Sequence, residues 1–140
     1  MYDLTEFQKI GHTLIQQLQT KRYSQSILAD FALEIGQLFQ ADVCLIINGV
    51  NQIQRKQIGI WGSQTSDYEI PENFSSDSLL EEVLKTSEVL TFSDLNNNSF
   101  FPPKNWLKKA LSLKSLMIKS SQFQEKNNGI ILIGYRQYHD

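Results

Sequence analysis

The chain of 140 residues carries one cysteine, Cys44, two histidines and three prolines. A lone cysteine excludes an internal disulfide and any multi-cysteine metal site within one chain. No apolar run approaches the ~20 residues needed to cross a bilayer as a helix. The opening Met1-Tyr-Asp-Leu-Thr-Glu-Phe7 has neither a basic region nor a cleavage-site pattern, so no signal peptide is read and the cytoplasm is the expected compartment. An excess of either charge is also missing: 13 basic and 15 acidic residues leave a net charge of −2. The basic residues form no stripe, and the nearest cluster, Lys104, Lys108, Lys109 and Lys114, reads as a solvated helix face. Neither nucleic acid nor a membrane is expected as a partner. A Gly-rich phosphate loop is absent too, because Gly59-Ile-Trp-Gly62 lacks the lysine and the following helix.

What remains is an ordinary globular composition, 41% apolar and 20% charged, on a chain of single-domain length. Folding at this size buries roughly 68–70% of the unfolded surface, enough for one core. Leu4, Phe7, Gly11, Leu14 and Leu18 fall at alternating spacings of three and four, an a/d-like seam on a first helix that can pair with a second copy. Thr20-Lys21-Arg22 breaks the pattern. A second helix follows over 23–40, with Ile27, Leu28, Phe31, Ala32, Ile35, Leu38 and Phe39 as its buried stripe.

Val43 to Ile47 is a continuous apolar run and predicts a strand over 41–48 covered on both faces. A turn at Asn48-Gly49 leads to a returning strand over 57–61, and 62–73 reads as a loop. Ser78-Leu-Leu-Glu81 is a capping box that opens a short helix through Lys85. A third strand is expected at 89–92, a loop over the asparagine-rich 94–99, and a helix entered through Pro102-Pro103 and carrying Trp106, Leu107, Ala110 and Leu111. Residues 115–123 alternate as a half-exposed strand. Gly129 to Tyr135 reads as a buried central strand after the Asn128-Gly129 turn.

Ile27-Leu-Ala-x-x-Ala32 leads into Phe39-Gln-Ala-Asp-Val-Cys-Leu-Ile46. Gly59-Ile-Trp-Gly62, Ile70-Pro71, Leu79 to Leu90, Lys114-Ser-Leu-Met-Ile118 and Gly129-Ile-Ile-Leu-Ile-Gly134 follow. In this order the chain resembles a GAF domain, a sensory module of phytochromes, cyclic-nucleotide phosphodiesterases and bacterial sensor kinases. The tail Tyr135-Arg-Gln-Tyr138 resembles the family's Arg-x-aromatic ending, which leads into an outgoing helix that this sequence lacks. The resemblance implies an α+β fold: an antiparallel five-stranded sheet in the order 2-1-5-4-3, long helices on one face, short helices and loops enclosing a pocket on the other. It divides the chain into an N-terminal helix over 1–22, with a dimerisation role, and a sensor domain over 23–140. A PAS fold is the alternative, but it places its helices between the second and third strands and lacks the long helical start.

Within that frame the chemistry is sparse. Bilin-binding relatives use a cysteine on the helix side of the pocket, and none occurs between Gly62 and Ser115, so a covalent bilin there is not expected. The family's methionine-sulfoxide reductases need several cysteines. Asn96-Asn-Asn-Ser-Phe-Phe101 lacks the acidic pair of the cyclic-nucleotide motif. Cys44 in mid-strand reads first as a small apolar residue, with a redox role as the minor alternative. His12 and His139 lack a partner base or kinase context. Glu81-Glu82 sits at a helix start, where acids favour the dipole, and no second acid converges on it.

The aromatics are Trp61, Tyr68, Phe74, Phe92, Phe100, Phe101 and Trp106. They either fill the core or line a flat cavity for a ring-bearing ligand, with Ser93, Asp94 or Tyr68 as polar contacts. The resulting candidate site is Trp61, Tyr68, Phe92, Asp94, Phe101 and Trp106, with no catalytic or metal-binding residue. The expected function is that of a non-catalytic regulatory domain of a two-component signalling protein, a sensor histidine kinase. It would dimerise through Leu4, Phe7, Gly11, Leu14 and Leu18 and act on a downstream kinase or other output domain. The alternatives are a module that holds a tetrapyrrole or other heterocycle non-covalently, and a redox-linked sensor using Cys44. Cofactor identity is left open.

Overall fold

A computed structural model of the chain describes residues 5–9, 25–48, 57–62, 78–86, 88–98, 107, 112–124 and 127–137. Residues 5–9 are helical (α1). The elements that follow are α2 (Gln25–Leu38), β1 (Val43–Asn48), β2 (Gln57–Trp61), α3 (Ser78–Lys85), β3 (Leu90–Phe92), a 3-10 turn (Leu95–Asn97), β4 (Ser115–Gln124) and β5 (Asn127–Tyr135). The strands form one sheet in the order β2-β1-β5-β4-β3, antiparallel at every pairing. This is the order that the resemblance implies, with β1 inside the sheet rather than at an edge.

Strand alternation divides the core into two layers. Val43, Leu45 and Ile47 of β1 face the α3 side with Leu116, Ile118, Ile130 and Leu132. Cys44 and Ile46 face the α2 side with Met117, Ile131 and Ile133. β1 is buried along its whole length, as its unbroken apolar run predicts.

α2 forms because Leu28, Ala32 and Ile35 recur on one face, and all three are buried. It ends in a two-bond reversal: Ala41 N donates to Gly36 O at 2.9 Å and Gln40 N to Gln37 O at 3.2 Å. Gln40 sits at φ 53°, in the left-handed conformation usually given to glycine, so this is a Schellman end built on glutamine. α2 then lies on β2 at backbone distance. A Cβ on Gly59 would come within 2.3 Å of the Leu28 carbonyl carbon, so only glycine allows this approach.

β4 departs from the half-exposed strand read in the sequence. Ser115 through Lys119 are all buried. The strand is inserted between β5 and β3, with Leu116 and Ile118 under the α3 layer and Met117 under the α2 layer. The loop expected over 94–99 contains a 3-10 turn pinned by Leu95, which is buried and donates its N–H to Lys114 O at 2.9 Å. The segment just after β5 is tied to the sheet: Arg136 N donates to Asp42 Oδ2 at 2.6 Å and Ser115 Oγ to Gln137 O at 2.6 Å. Leu4, Gly11, Leu14 and Leu18 of the first helix lie outside the described residues. So does the helix expected after Pro103, except Leu107, which is helical and fully buried.

Candidate functional site

The face toward α3 is the one that the GAF resemblance assigns to a ligand. Its floor is aliphatic: Val43, Leu45, Ile47, Leu116, Ile118, Ile130 and Leu132. Leu79, Leu80 and Val83 of α3 cover it, with Leu95, Leu107 and Leu113 at the margins. The Leu79–Val83 stripe of α3 meets the sheet, and Lys85 in its last turn complements the helix dipole. Such a floor offers dispersion and water exclusion but no directional bond, so orientation of any ligand would have to come from its rim. Among the described residues no group of three His, Cys, Asp or Glu side chains could hold a metal ion.

Of the predicted site residues, Trp61, Phe92 and Asp94 are described, and they divide between the two faces of the sheet. Phe92 packs at the margin of the α3-side layer. Asp94 is half-buried beside it, but its carboxylate serves its own loop: Oδ1 accepts from Asn96 N at 3.0 Å, and Oδ2 accepts from Asn97 Nδ2. It is the N-cap of the 3-10 turn. Trp61 is on the opposite face of the sheet. It pairs with Cys44 across β1–β2 and lays its indole over Gly36 of α2, where a Cβ would meet Trp61 Cε3 at 2.2 Å. Its placement among the pocket aromatics is therefore corrected: Trp61 clasps the helix to the sheet. Tyr68, Phe101 and Trp106 lie outside the described residues.

On the α2 side, two polar side chains sit in apolar surroundings. Cys44 is fully buried, and burial pushes its thiol pKa far up. A redox sensor needs an accessible, acidified thiol, and Cys44 has neither property, so the redox alternative loses its group. Lys119 went unremarked in the sequence, although its alternation with Met117 puts it on this same face. It is 4% exposed, its Nζ donates to Gln8 Oε1 at 2.9 Å, and desolvation lowers its pKa. Next to Gln8, Phe7 is fully buried and meets the Phe39 ring edge-on at 5.8 Å between centroids. The sequence spacing places Phe7 in a dimer seam; in the structure it belongs to the chain's own core, because α1 lies on the sheet.

Comparison with solved structures supplies the context for this geometry. The GAF domain of a phosphoenolpyruvate-protein phosphotransferase from Coxiella burnetii matches at a TM-score of 0.64, with 12% identity over 99% of this chain and 82% of that one. The phycocyanobilin-bound GAF domain of a cyanobacterial phytochrome matches at 0.57, with 11% identity over 100% and 84%. The N-acylhomoserine lactone-dependent LuxR-family transcription factor CepR2 from Burkholderia cenocepacia matches at 0.62, with 12% identity over 94% and 81%. The fold is GAF-like. No protein-family model matches the chain, and no curated protein does. In this GAF-like domain, the ligand-bearing face implied by the resemblance and the helix-clasped face are thus distinct surfaces of one sheet.

Proposed function

We propose that the chain is a non-catalytic regulatory domain of a cytoplasmic signal-transduction protein, a sensor histidine kinase, which passes its state to an output domain through a helix-paired dimer. The observation that carries this reading is the sheet order β2-β1-β5-β4-β3 with α2 on one face and α3 on the other. The fold is similar to that of GAF domains of a phosphotransferase and a phytochrome. No helix among the described residues is long and apolar enough to cross a membrane, in keeping with a domain that works in water. Leu14 and Leu18 remain as seam positions beyond the docked turn of α1. Light scattering tests the seam. The chain is expected to associate, and Leu14→Glu with Leu18→Glu to give a monomer; a parent that is already monomeric and ignores both changes defeats helix-seam pairing.

A second reading is favoured by the wholly aliphatic floor beneath α3. Two of the structural neighbours are named for small molecules, a phycocyanobilin and an N-acylhomoserine lactone. The same face in this chain would hold a tetrapyrrole or another apolar ligand without a covalent bond, since no cysteine occurs between Gly62 and Ser115. Visible absorbance of the purified chain after incubation with a bilin, and its persistence on a desalting column, separates this reading from a domain whose pocket is filled by its own side chains.

A further inference from the structure

Phe7 cannot serve the core and a dimer seam at once. It is fully buried against the α2-side layer, and the next residue, Gln8, bridges to Lys119 at 2.9 Å. Lys119 stands one alternation beyond Met117, on the same face, and its register neighbour on β5 is Ile131. Among the described residues the ammonium is met by this neutral amide and not by a carboxylate. A lysine ammonium is compact and strongly hydrated, and covering it with a neutral amide as its described partner opposes the apolar gain from Phe7. Apolar burial pulls α1 down, and the lysine beneath it pushes it off.

We propose that the Gln8–Lys119 bond is a weak latch that keeps α1 near balance between lying on the sheet and leaving it, so that Phe7 is exchanged between the core and a helix-pairing seam. Docked, α1 hides Phe7 and the chain is disposed against pairing. Released, it restores water to Lys119 and frees Phe7 from the core. The regulatory meaning of this exchange rests on the dimeric sensor reading; the latch itself does not, and it is tested on the 140-residue chain alone.

Hydrogen exchange of peptides covering residues 5–9 reads the latch directly. Lys119→Met keeps the length of the stem and removes the charge, and it is expected to slow exchange about tenfold, because an apolar group beneath α1 opposes docking less than an ammonium does. Gln8→Ala removes the amide that satisfies the ammonium and is expected to speed exchange about tenfold. Either variant failing to move in its direction overturns the latch. Protection of the β1 and β5 amides is followed in the same spectra; loss of it in Lys119→Met means that the lysine is needed by the core and likewise overturns the proposal. Association is measured in parallel by sedimentation, with Gln8→Ala expected to raise the dimer fraction and Lys119→Met to lower it. Exchange that shifts as expected while association stays fixed upholds the latch and removes the helix-seam reading.

Discussion

The two faces of the sheet are held in different ways. On the α2 face backbone itself enters the contact: Gly59 lies under the Leu28 carbonyl and Gly36 under the Trp61 indole, beside the Leu28, Ala32 and Ile35 side chains. On the α3 face the contact is made mainly by side chains, Leu79, Leu80 and Val83 against the strands, with Ser120 Oγ donating to Thr86 O at 2.9 Å just past the helix. A backbone contact has one solution and admits no added atom. A side-chain contact can be refilled by other side chains or by a ligand, at a cost set by how far the helix can settle. The α2 face is therefore the scaffold, and the α3 face is the one on which binding can vary without loss of the fold.

Paired substitutions put this difference to its hardest test. Gly59→Val forces a side chain into the Leu28 carbonyl, and neither the strand nor the helix backbone can yield. The expected loss is about 3 kcal/mol in urea unfolding, the top of the range for overpacked cores. Leu79→Ala, on the α3 face, is expected to cost about 2 kcal/mol, the bottom of the range for buried leucines, because an eight-residue helix held by side chains can move inward. The reverse ranking would mean that α3 is the rigid cover and α2 the adjustable one.

The α2 face also makes a prediction about pH. The native state keeps the Cys44 proton because burial raises its pKa, whereas the unfolded chain releases it near the ordinary thiol value of about 8.5. Above that value the unfolded chain binds fewer protons, so the stability that Cys44 contributes is intact at neutral pH and is lost as pH rises. The slope approaches about 1.4 kcal/mol per pH unit. Lys119 shifts in the other direction, but it is common to both proteins when the parent is compared with Cys44→Ala, so it cancels in the difference. Urea midpoints at pH 7.5 and 9.5 should fall further in the parent than in Cys44→Ala. Equal slopes, or rapid alkylation of the native thiol, would return Cys44 to consideration as a sensor.

Much of this contrast was legible in the sequence, and the part that was not has physical reasons. Val43–Ile47 and Gly129–Gly134 announced themselves as buried strands because apolar runs need cover on both sides. The face of Trp61 was not legible, since it depends on the register that pairs it with Cys44, and a shift of one residue reverses every side chain of a strand. Gln40 hid the end of α2, because glutamine gives no sign of a left-handed turn. Phe7 shows the limit most clearly: an apolar stripe tells that a helix is covered, but not whether by its own sheet or by a second copy. Lys119 was missed for a related reason. Period-two alternation with Met117 fixes its face, but a half-exposed strand does not tell which face α1 covers.

The rim of the α3 face gives the smallest effect and the sharpest separation of structure from binding. Asp94 holds the 3-10 turn through Asn96 N and the Asn97 amide, and Leu95 within that turn closes the edge of the aliphatic floor. Asp94→Ala is expected to cost about 1 kcal/mol, the ordinary value of a lost cap, while Asp94→Asn, which keeps an accepting oxygen, should cost only a few tenths. If Asp94 acts through the turn alone, any ligand captured by the chain should bind Asp94→Asn as it binds the parent, because the turn and its leucine are unchanged. A variant that is as stable as the parent but loses the ligand would show that the carboxylate charge faces the bound molecule, and the rim of this face would then gain its first directional contact.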